Sequence, residues 1–543
     1  MRPIGDVAFD VGLKSGDVVP AGPGVVKIPL RVARPLTASV SRGKLVLVTA
    51  MTPTVQGEGK TVVAIGLAMA LHGRGRRAIV CLRQPSLGPV FGLKGGASGG
   101  GRSTVEPRPA IDLGFTGDLD AITNAQNLLA SLVDNHIFHG NPLALDGTRP
   151  VLPRTSPLED RSLRDILSGL SEKAPGFPRP GQFVITPASE MAAIHALASD
   201  YADLQGRIGR MTAGRRADGV AIRASELGSI GAVAGLLRSA LEPNLVQTVE
   251  GTPAFVHGAP YANVAHGTCS RLSIELGLGI SDFAIVEAGF STELGAEKFV
   301  DIVSPQTRLT VDAVVLVASI RALRWHGNGG PGSAPPGTTA VRRGLANLEQ
   351  HVENLRRMGL DPVIGLNRFL DDSSEDIAEV QRFCTDHRLS MAVVTSFADG
   401  GRGANDLAER VIEACHLQQR SRSLYPEGAS VEKILHTVVT EIYGGNGFEM
   451  TDTARSELDR LRADHDADGP VCIAKTPLSL SADPTLRGRP RDFIVTVRHF
   501  FRWPGAGFTV AMAGPVASMP GLPLHPSAEA IRLSKDGVVT GVG

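Results

Sequence analysis

A strand–loop–helix–strand pattern near the N-terminus constrains the fold of this chain most strongly. The run KLVLVTAM at 44–51 is apolar and rich in β-branched residues, which is typical of a buried strand in a parallel sheet. The turn GEGKT follows, and residues 60–75 then have the composition of a largely buried helix that ends among glycines. A second apolar run, AIVCLR at 78–83, completes the unit. This order predicts an α/β protein with a parallel sheet.

Further apolar runs extend the same pattern along the chain. DAVVLVAS at 312–319 and DPVIGLN at 361–367 are predicted strands, and the segment between them, GLANLEQHVENLRRMG at 344–359, has leucines at helical spacing. We therefore expect an α/β protein with a P-loop-containing, parallel-sheet nucleotide domain and additional mixed α/β domains. The predicted division is a nucleotide domain at 1–140 plus about 300–400, a second α/β domain at 141–299 and a C-terminal α/β domain at 401–543.

Charge and cysteine content argue against several classes of protein. Lysine plus arginine and aspartate plus glutamate both number 55, whereas a dedicated nucleic-acid-binding domain is usually strongly basic. The five cysteines are widely spaced and form no CxxC pair, so we expect buried free thiols rather than disulfides or a zinc site. No apolar run reaches about 18 residues and the N-terminus has no signal-peptide pattern. We expect no nucleic-acid or membrane partner and a cytoplasmic location.

The GEGKT turn has the chemistry of a phosphate-binding loop. It follows a predicted strand and begins a predicted helix, where unpaired backbone N–H groups face phosphate oxygens. A lysine in this position reaches the β and γ phosphates, and the adjacent threonine hydroxyl can bind Mg²⁺. The match is imperfect because Thr54 stands where the pattern has its first glycine. The predicted ATP-binding residues are Gly57, Glu58, Gly59, Lys60 and Thr61.

Other candidate residues have both a functional and an ordinary structural interpretation. Arg83 ends the second strand, at the edge where open α/β sheets bind ligands, but for the residue taken alone a solvent-exposed arginine at a strand end is the more common case. Asp118, in FTGD, is a magnesium or substrate contact or else a turn residue. Phe290 is by default a core residue. His257 and His266 lie nine positions apart, which favours structural histidines with satisfied ring nitrogens over a metal site.

Long blocks of this sequence resemble the formate–tetrahydrofolate ligase family. They run in order from about residue 25 to the C-terminus, too long for a generic loop motif. The blocks include TPTVQGEGKT, CLRQPSLGPVFGLKGGASGGG, DLGFTGDLDAITNAQNLLASLVDNHIFHGN, NLVQTVEGTPAFVHGAPYANVAHGTCS, EAGFSTELGAEKFVDI, EIYGGNGFEM, PGAGFTVAMAG and MPGLP.

The resemblance implies an ATP-dependent C–N ligase of one-carbon metabolism. Formate would attack the γ-phosphate of ATP to give formyl phosphate and ADP, and tetrahydrofolate would then take the formyl group at N10 and release phosphate. By motif, Lys60 and Arg83 would hold the transferring phosphoryl group, with Asp118 as a polar contact and Thr61 at the magnesium. The resemblance also implies that the protein is a homotetramer and uses a monovalent cation. The implied aromatic walls for pteridine or adenine are Phe290, Phe369 and Phe397.

Several positions depart from the family pattern. Gln84 stands where the family has glutamate after the arginine, and Phe397 where it has tryptophan. Leu370 replaces a proline, and Pro477-Leu478 replaces Gln-Tyr. Three hypotheses therefore stay open: an active ligase, a diverged paralogue that binds nucleotide or folate with weak or altered ligase activity, and, more remotely, a P-loop regulatory or partitioning ATPase.

Overall fold

A mixed sheet dominated by parallel strands forms the centre of the protein, as the sequence predicted. The computed structural model describes residues 1–37, 42–92, 98–148, 152–170, 178–328, 337–464, 466–514 and 516–542. Within these residues, seven strands run parallel, and they lie side by side in the order β3-β2-β4-β1-β5-β6-β7. They are β1 Lys44–Ala50, β2 Ala78–Leu82, β3 Pro253–Val256, β4 Phe283–Glu287, β5 Ala313–Ala318, β6 Val363–Asn367 and β7 Ser390–Val394.

An antiparallel extension continues the sheet beyond β3. The strand Asn244–Thr248 pairs with β3, with Val25–Lys27 and with Ser103–Glu106, while Val19–Gly22 and Gly99–Gly100 complete the edge. This arrangement corrects the predicted division of the chain, since Asn244–Thr248, β3 and β4 lie in the range 141–299 but belong to the nucleotide sheet. Short apolar runs do not specify their neighbours, so the sequence did not reveal this return. A separate second domain stays a proposal only for the segment before Asn244.

Both faces of the sheet are buried. Successive side chains of each strand point to opposite faces, so each strand contributes to two cores. In β1, Leu45 and Leu47 join one hydrophobic core, whereas Val46 and Val48 join a second core on the opposite face. The helix Lys60–Gly73 packs in the second core and is buried along nearly its whole length. This explains why its sequence is apolar on all sides rather than amphipathic.

Helices and small sheets surround the central sheet. The predicted helix at 344–359 is confirmed, although it begins earlier, at Thr338, and ends at Arg357. The other helices of at least seven residues are Ile4–Asp10, Leu30–Thr37, Asp118–Phe138, Glu190–Leu197, Tyr201–Arg210, Ile230–Leu236, Arg271–Ile280, Ile320–Gly327, Ser374–Asp386, Asn405–His416, Val431–Thr437 and Asp452–Ala463. The smaller sheets pair Arg154–Ser156 with Phe183–Ile185, Ile166–Ser168 with Arg179–Gly181, Thr212–Arg215 with Ala221–Arg223, Gly447–Met450 with Ile494–Val497, and Phe508–Met512 with both Val471–Ala474 and His499–Trp503.

The cysteines are all buried free thiols, which confirms that part of the sequence prediction. In the part of the chain that the structure describes, no helix combines the length and the apolar character needed to cross a bilayer.

Candidate active site

The carboxyl ends of β1, β4 and β2 bring three predicted site segments to one edge of the sheet. Strand β4 lies between β1 and β2, so the loop that follows β4 lies between the GEGKT loop and Arg83. The ammonium group of Lys60 donates a hydrogen bond to the backbone carbonyl of Phe290, with Nζ and O 2.5 Å apart. The sequence-predicted lysine therefore points toward the middle of this edge.

The GEGKT loop has the tight backbone that a phosphate cradle requires. Gly57 and Gly59 both have positive φ, at 79° and 75°, and Gly59 precedes a helix whose first turn has no side-chain cap. A Cβ at Gly59 would lie 2.4 Å from the side-chain nitrogen of Asn367, which donates to the carbonyl of Glu58 at 3.0 Å. The loop therefore fits closely against β6, and no side chain caps the start of the helix that follows it. A helix start is a position where anions bind.

Glu58 braces the loop from inside. Its buried carboxylate accepts hydrogen bonds from the amide of Thr54, at 2.7 Å, and from the hydroxyl of Ser319. The guanidinium of Arg321 donates to the carbonyl of Gly57 and lies 3.9 Å from the Glu58 carboxylate. The carboxylate thus fixes Thr54, at the position where the loop motif departs from its usual glycine. Direct ATP binding by Glu58 stays a prediction.

Arg83 and Gln84 follow β2 and carry unpaired donors in buried surroundings. Arg83 donates from Nη1 to the carbonyl of Pro260 at 3.3 Å, while its Nε has no partner within the described ranges. Burial lowers the pKa of Arg83, and the nearby Glu287 carboxylate opposes that shift, so the guanidinium keeps its charge. The side-chain nitrogen of Gln84 is also buried without a partner among the described residues. Unpaired donors of this kind are available to an anionic substrate.

Asp118 is part of a buried ion pair. Its carboxylate lies 2.8 Å from Nζ of Lys27 and accepts a hydrogen bond of 2.7 Å from Asn244, and only 2% of the residue is exposed. Asn244 also donates to the last carbonyl of β3, beside the end of β2. Asp118 is therefore held close to the Arg83 strand, but by structural partners. Its predicted contact with magnesium or substrate stays a prediction.

The three predicted stacking rings also follow strands of the sheet. Phe290 is half-buried after β4 and has a φ of 60°, in the left-handed region. Phe369 follows β6, and the guanidinium of Arg321 lies over its ring, 4.4 Å from the centroid. Phe397 follows β7 and is 54% exposed. The rings therefore share one edge of the sheet with the loop, and their stacking on pteridine or adenine stays a prediction.

Residues that sequence reasoning did not select complete the edge. Ser319 and Arg321 follow β5, Asn367 ends β6 and Glu287 ends β4. Each of them is a polar residue at or just beyond the end of an apolar strand, and that was the available signal. No single motif pointed to them because their contacts join segments far apart in the chain.

The two histidines of the HGAPYANVAHG segment differ from each other. His257 is satisfied, with Nδ1 2.6 Å from the hydroxyl of Ser270 and Nε2 2.7 Å from the carbonyl of Ala240. His266 is buried, and neither ring nitrogen has a partner in the described part of the chain. Burial lowers the pKa of both imidazoles to about 3. The prediction of satisfied structural histidines is confirmed for His257 and wrong for His266.

Comparisons with known proteins agree along the whole chain. A family model described as formate–tetrahydrofolate ligase matches residues 1–543. The formate–tetrahydrofolate ligase of Thermus thermophilus is 47% identical over 542 residues, which cover 100% of this chain and 98% of that protein. Those of Myxococcus xanthus and Thermotoga petrophila are each 44% identical, with 100% of this chain and 99% and 100% of the relatives covered. The chain therefore belongs to the formate–tetrahydrofolate ligase family.

Proposed function

We propose that this protein joins formate to tetrahydrofolate at the expense of ATP, giving 10-formyltetrahydrofolate, ADP and phosphate. The observation that carries the proposal is the contact between Lys60 of the glycine loop and the carbonyl of Phe290, at the sheet edge that Arg83 shares. The names of the full-length relatives support it, since each is a formate–tetrahydrofolate ligase.

In the first step, a carboxylate oxygen of formate attacks the γ-phosphorus of ATP. The P–O bond to the β-phosphate breaks, ADP leaves and formyl phosphate forms. This chemistry depends on positioning and charge neutralisation rather than on covalent help from the protein. The amides at the start of the helix and Lys60 would bind the β and γ phosphates, and Arg83 would bind the formate or phosphoryl oxygens through its unpaired N–H.

In the second step, the N10 amine of tetrahydrofolate attacks the formyl carbon. The C–O bond to phosphate breaks, the amine loses a proton and inorganic phosphate is released. Arg83 and Lys60 would stabilise the departing phosphate because both are cations at the same edge. The aromatic faces of Phe290, Phe369 and Phe397 would hold the pteridine or adenine ring, and burial of such flat rings against apolar side chains is the usual way to bind them.

The residues present fit Mg²⁺ bound with ATP, whereas Gln84 does not supply the carboxylate that the family pattern has at that position. Thr61 lies in the first turn of the helix beside the tight Gly59 backbone, so its hydroxyl would bind magnesium carried by the phosphates. Bound magnesium would neutralise charge that develops on the phosphate oxygens. For the monovalent cation, Gln84 supplies no carboxylate, and its unpaired atom is a donor nitrogen. We derive no step through that cation.

An omission assay tests the function and separates the alternatives. The complete mixture contains ATP, Mg²⁺, formate and tetrahydrofolate, and formation of 10-formyltetrahydrofolate and of ADP are both measured as each component is left out. An active ligase makes both products only in the complete mixture. A diverged paralogue binds ATP or folate but makes little formyl product, and a regulatory ATPase releases ADP without formate or folate.

We also propose that the enzyme works in the cytoplasm as a homotetramer. The five buried free thiols support a reducing compartment. Light scattering coupled to size-exclusion chromatography tests the assembly, and a mass equal to one chain would contradict it.

A further inference from the structure

A cleft lined by three arginines lies between the Tyr201–Arg210 helix and the C-terminal segments. Its volume is about 580 Å³, within the range of small-molecule pockets. The arginines are Arg210 at the end of that helix, Arg223 at the end of a short strand and Arg502 on the strand His499–Trp503. The cleft shares no lining residue with the edge of the sheet that carries Lys60 and Arg83.

The positive charge of this arginine cleft exceeds its negative charge. Three arginines and one aspartate, Asp466, line it, which leaves two formal positive charges uncompensated by the lining. Asp466 is already paired with Arg223, with Nη2 and Oδ2 2.6 Å apart. Burial lowers the pKa of Arg502, and the charges of Asp466, Glu190 and Asp468 oppose part of that shift. An anion is the ligand that would balance this surplus.

The donors in the cleft are only partly used. Arg223 also donates to the hydroxyl of Thr212 at 2.9 Å and is fixed in place. Arg502 donates from Nη1 to Thr509 at 3.3 Å, but its buried Nε has no partner among the described residues. The side chain of Arg210 forms no ion pair or hydrogen bond within the described ranges. Two of the three guanidinium groups therefore keep N–H groups for a ligand.

Two glycines form part of the helix wall of the cleft. Gly206 and Gly209 face the cleft in the last turns of the Tyr201–Arg210 helix. A Cβ at Gly206 would lie 3.6 Å from Nη1 of Arg210, so the guanidinium of Arg210 lies beside the backbone of its own helix. Ile230 and Pro504 add apolar contact on the other walls. A pocket with charged donors at separate points and apolar walls suits a multiply charged organic or inorganic anion.

We propose that the arginine cleft binds a small anion with two or more carboxylate or phosphate groups. Arginine forks bind both oxyanions in the same planar geometry, so the shared chemistry is the oxyanion pair rather than one compound. Guanidinium groups from three separate elements would bind oxyanion groups at separate points of the ligand. The proposal does not depend on the ligase reaction, because the cleft and the sheet edge have no residue in common.

Binding of two probes to the full-length chain tests the proposal. Titration calorimetry measures the affinity for inorganic pyrophosphate and for triglutamate in a Lys60→Ala background, which weakens competing binding at the glycine loop. Arg210→Ala removes an arginine with no internal partner, and Arg502→Lys keeps the charge but removes the fork. The matched control is Arg343→Ala, an exposed arginine on the Thr338–Arg357 helix outside the cleft. Thermal unfolding of every variant verifies that it is folded.

We expect Arg210→Ala to weaken binding of at least one probe about ten-fold and Arg502→Lys to weaken it several-fold, with Arg343→Ala unchanged. If these variants weaken the binding of pyrophosphate alone, the cleft is a phosphate site. If they weaken the binding of triglutamate alone, it is a carboxylate site. The proposal is overturned if neither probe binds, or if both bind equally to the Arg210 and Arg343 variants.

Discussion

The ammonium nitrogen of Lys60 lies 2.5 Å from the carbonyl oxygen of Phe290, so two segments 230 positions apart meet at the proposed phosphate site. Lys60→Met keeps the length of the side chain but removes its charge. We expect kcat for formate-dependent ADP release to fall by about 10²- to 10³-fold, the usual cost of removing a group that stabilises transition-state charge. Arg343→Ala is the control with unchanged kcat. A Lys60→Met enzyme with normal kcat would remove the lysine from the mechanism.

The two loop glycines offer a matched pair of variants. Alanine at either position meets a positive φ, but only at Gly59 would the new Cβ collide with Asn367, since nothing lies within 4 Å of a Cβ at Gly57. Left-handed backbone costs about 1–2 kcal/mol in both variants. We therefore expect Gly59→Ala to raise the KM for ATP roughly ten-fold more than Gly57→Ala does. Equal KM values for the two variants would show that the close fit against β6 is unimportant.

Gln84→Glu restores the residue that the family usually has after the arginine. Gln84 is buried beside Arg83, and a carboxylate there would add the negative charge that the resemblance implies. We expect formate-dependent turnover to increase if the rest of the site is competent. Gln84→Met is the neutral control of similar length. Turnover of Gln84→Glu at or below that of the unchanged protein would mean that this chain has adapted to the amide.

Variants of Asp118 separate catalysis from stability. Asp118→Ala leaves Lys27 charged and unpaired in the interior, which typically costs about 3–5 kcal/mol of unfolding free energy. Replacement of both partners, Lys27→Met with Asp118→Leu, should recover most of that loss because no buried charge is left. Urea denaturation measures the free energy of unfolding of the single and the double variant. If the double variant is stable and its turnover is normal, Asp118 acts only in the fold.

Five buried histidines among the described residues, including His195, have a lowered pKa and predict destabilisation by acid. Burial lowers the pKa of His257 and His266 to about 3 and that of His326 and His351 to about 4. The unfolded chain therefore binds more protons below pH 6.5, and stability is lost as the pH falls from 6.5 toward 4. At pH 5, each imidazole that stays neutral in the folded protein lowers the free energy of unfolding by up to about 2 kcal/mol. The urea midpoint should fall steeply between pH 7 and pH 5, and less steeply in His351→Gln.

A urea midpoint that is flat over this pH range would contradict neutral buried imidazoles. His351 is the suitable position for the variant because both ring nitrogens have hydrogen-bond partners. Its Nε2 lies 2.8 Å from the amide of Thr52, and its Nδ1 lies 2.6 Å from the hydroxyl of Thr292. The buried Glu293 carboxylate lies 3.6 Å from Nδ1 and raises the pKa of His351, but burial lowers that pKa by more.

Local sequence patterns were sufficient for the individual elements of the nucleotide sheet. The apolar runs at 44–51, 78–83, 312–319 and 361–367 all became strands, because fully buried parallel strands need continuous apolar sequence. Neighbour relations were not predictable in the same way. Strand β4 has the same kind of sequence as the others, and nothing in it specifies a position between β1 and β2.

The same limit applies to the candidate site. Gly59 and Lys60 were recognisable because their chemistry is contained in one short loop. The brace from Glu58 to Ser319 and the contact from Lys60 to Phe290 join distant segments, so no local pattern predicts them. The arginine cleft was not predictable for the same reason. Arg210 and Arg502 lie far apart in the sequence, and only the fold brings them together.

The insertion of β4 between two earlier strands has a consequence during translation. β4 begins 201 residues after the end of β2, at 283 against 82. Protein synthesis proceeds at about 5–20 residues per second, so β4 is synthesised roughly 10–40 s after β2 is complete. The backbone edges of β1 and β2 have no final neighbour on that side during this interval, and unpaired strand edges of this kind can pair with other chains until the centre of the sheet is complete.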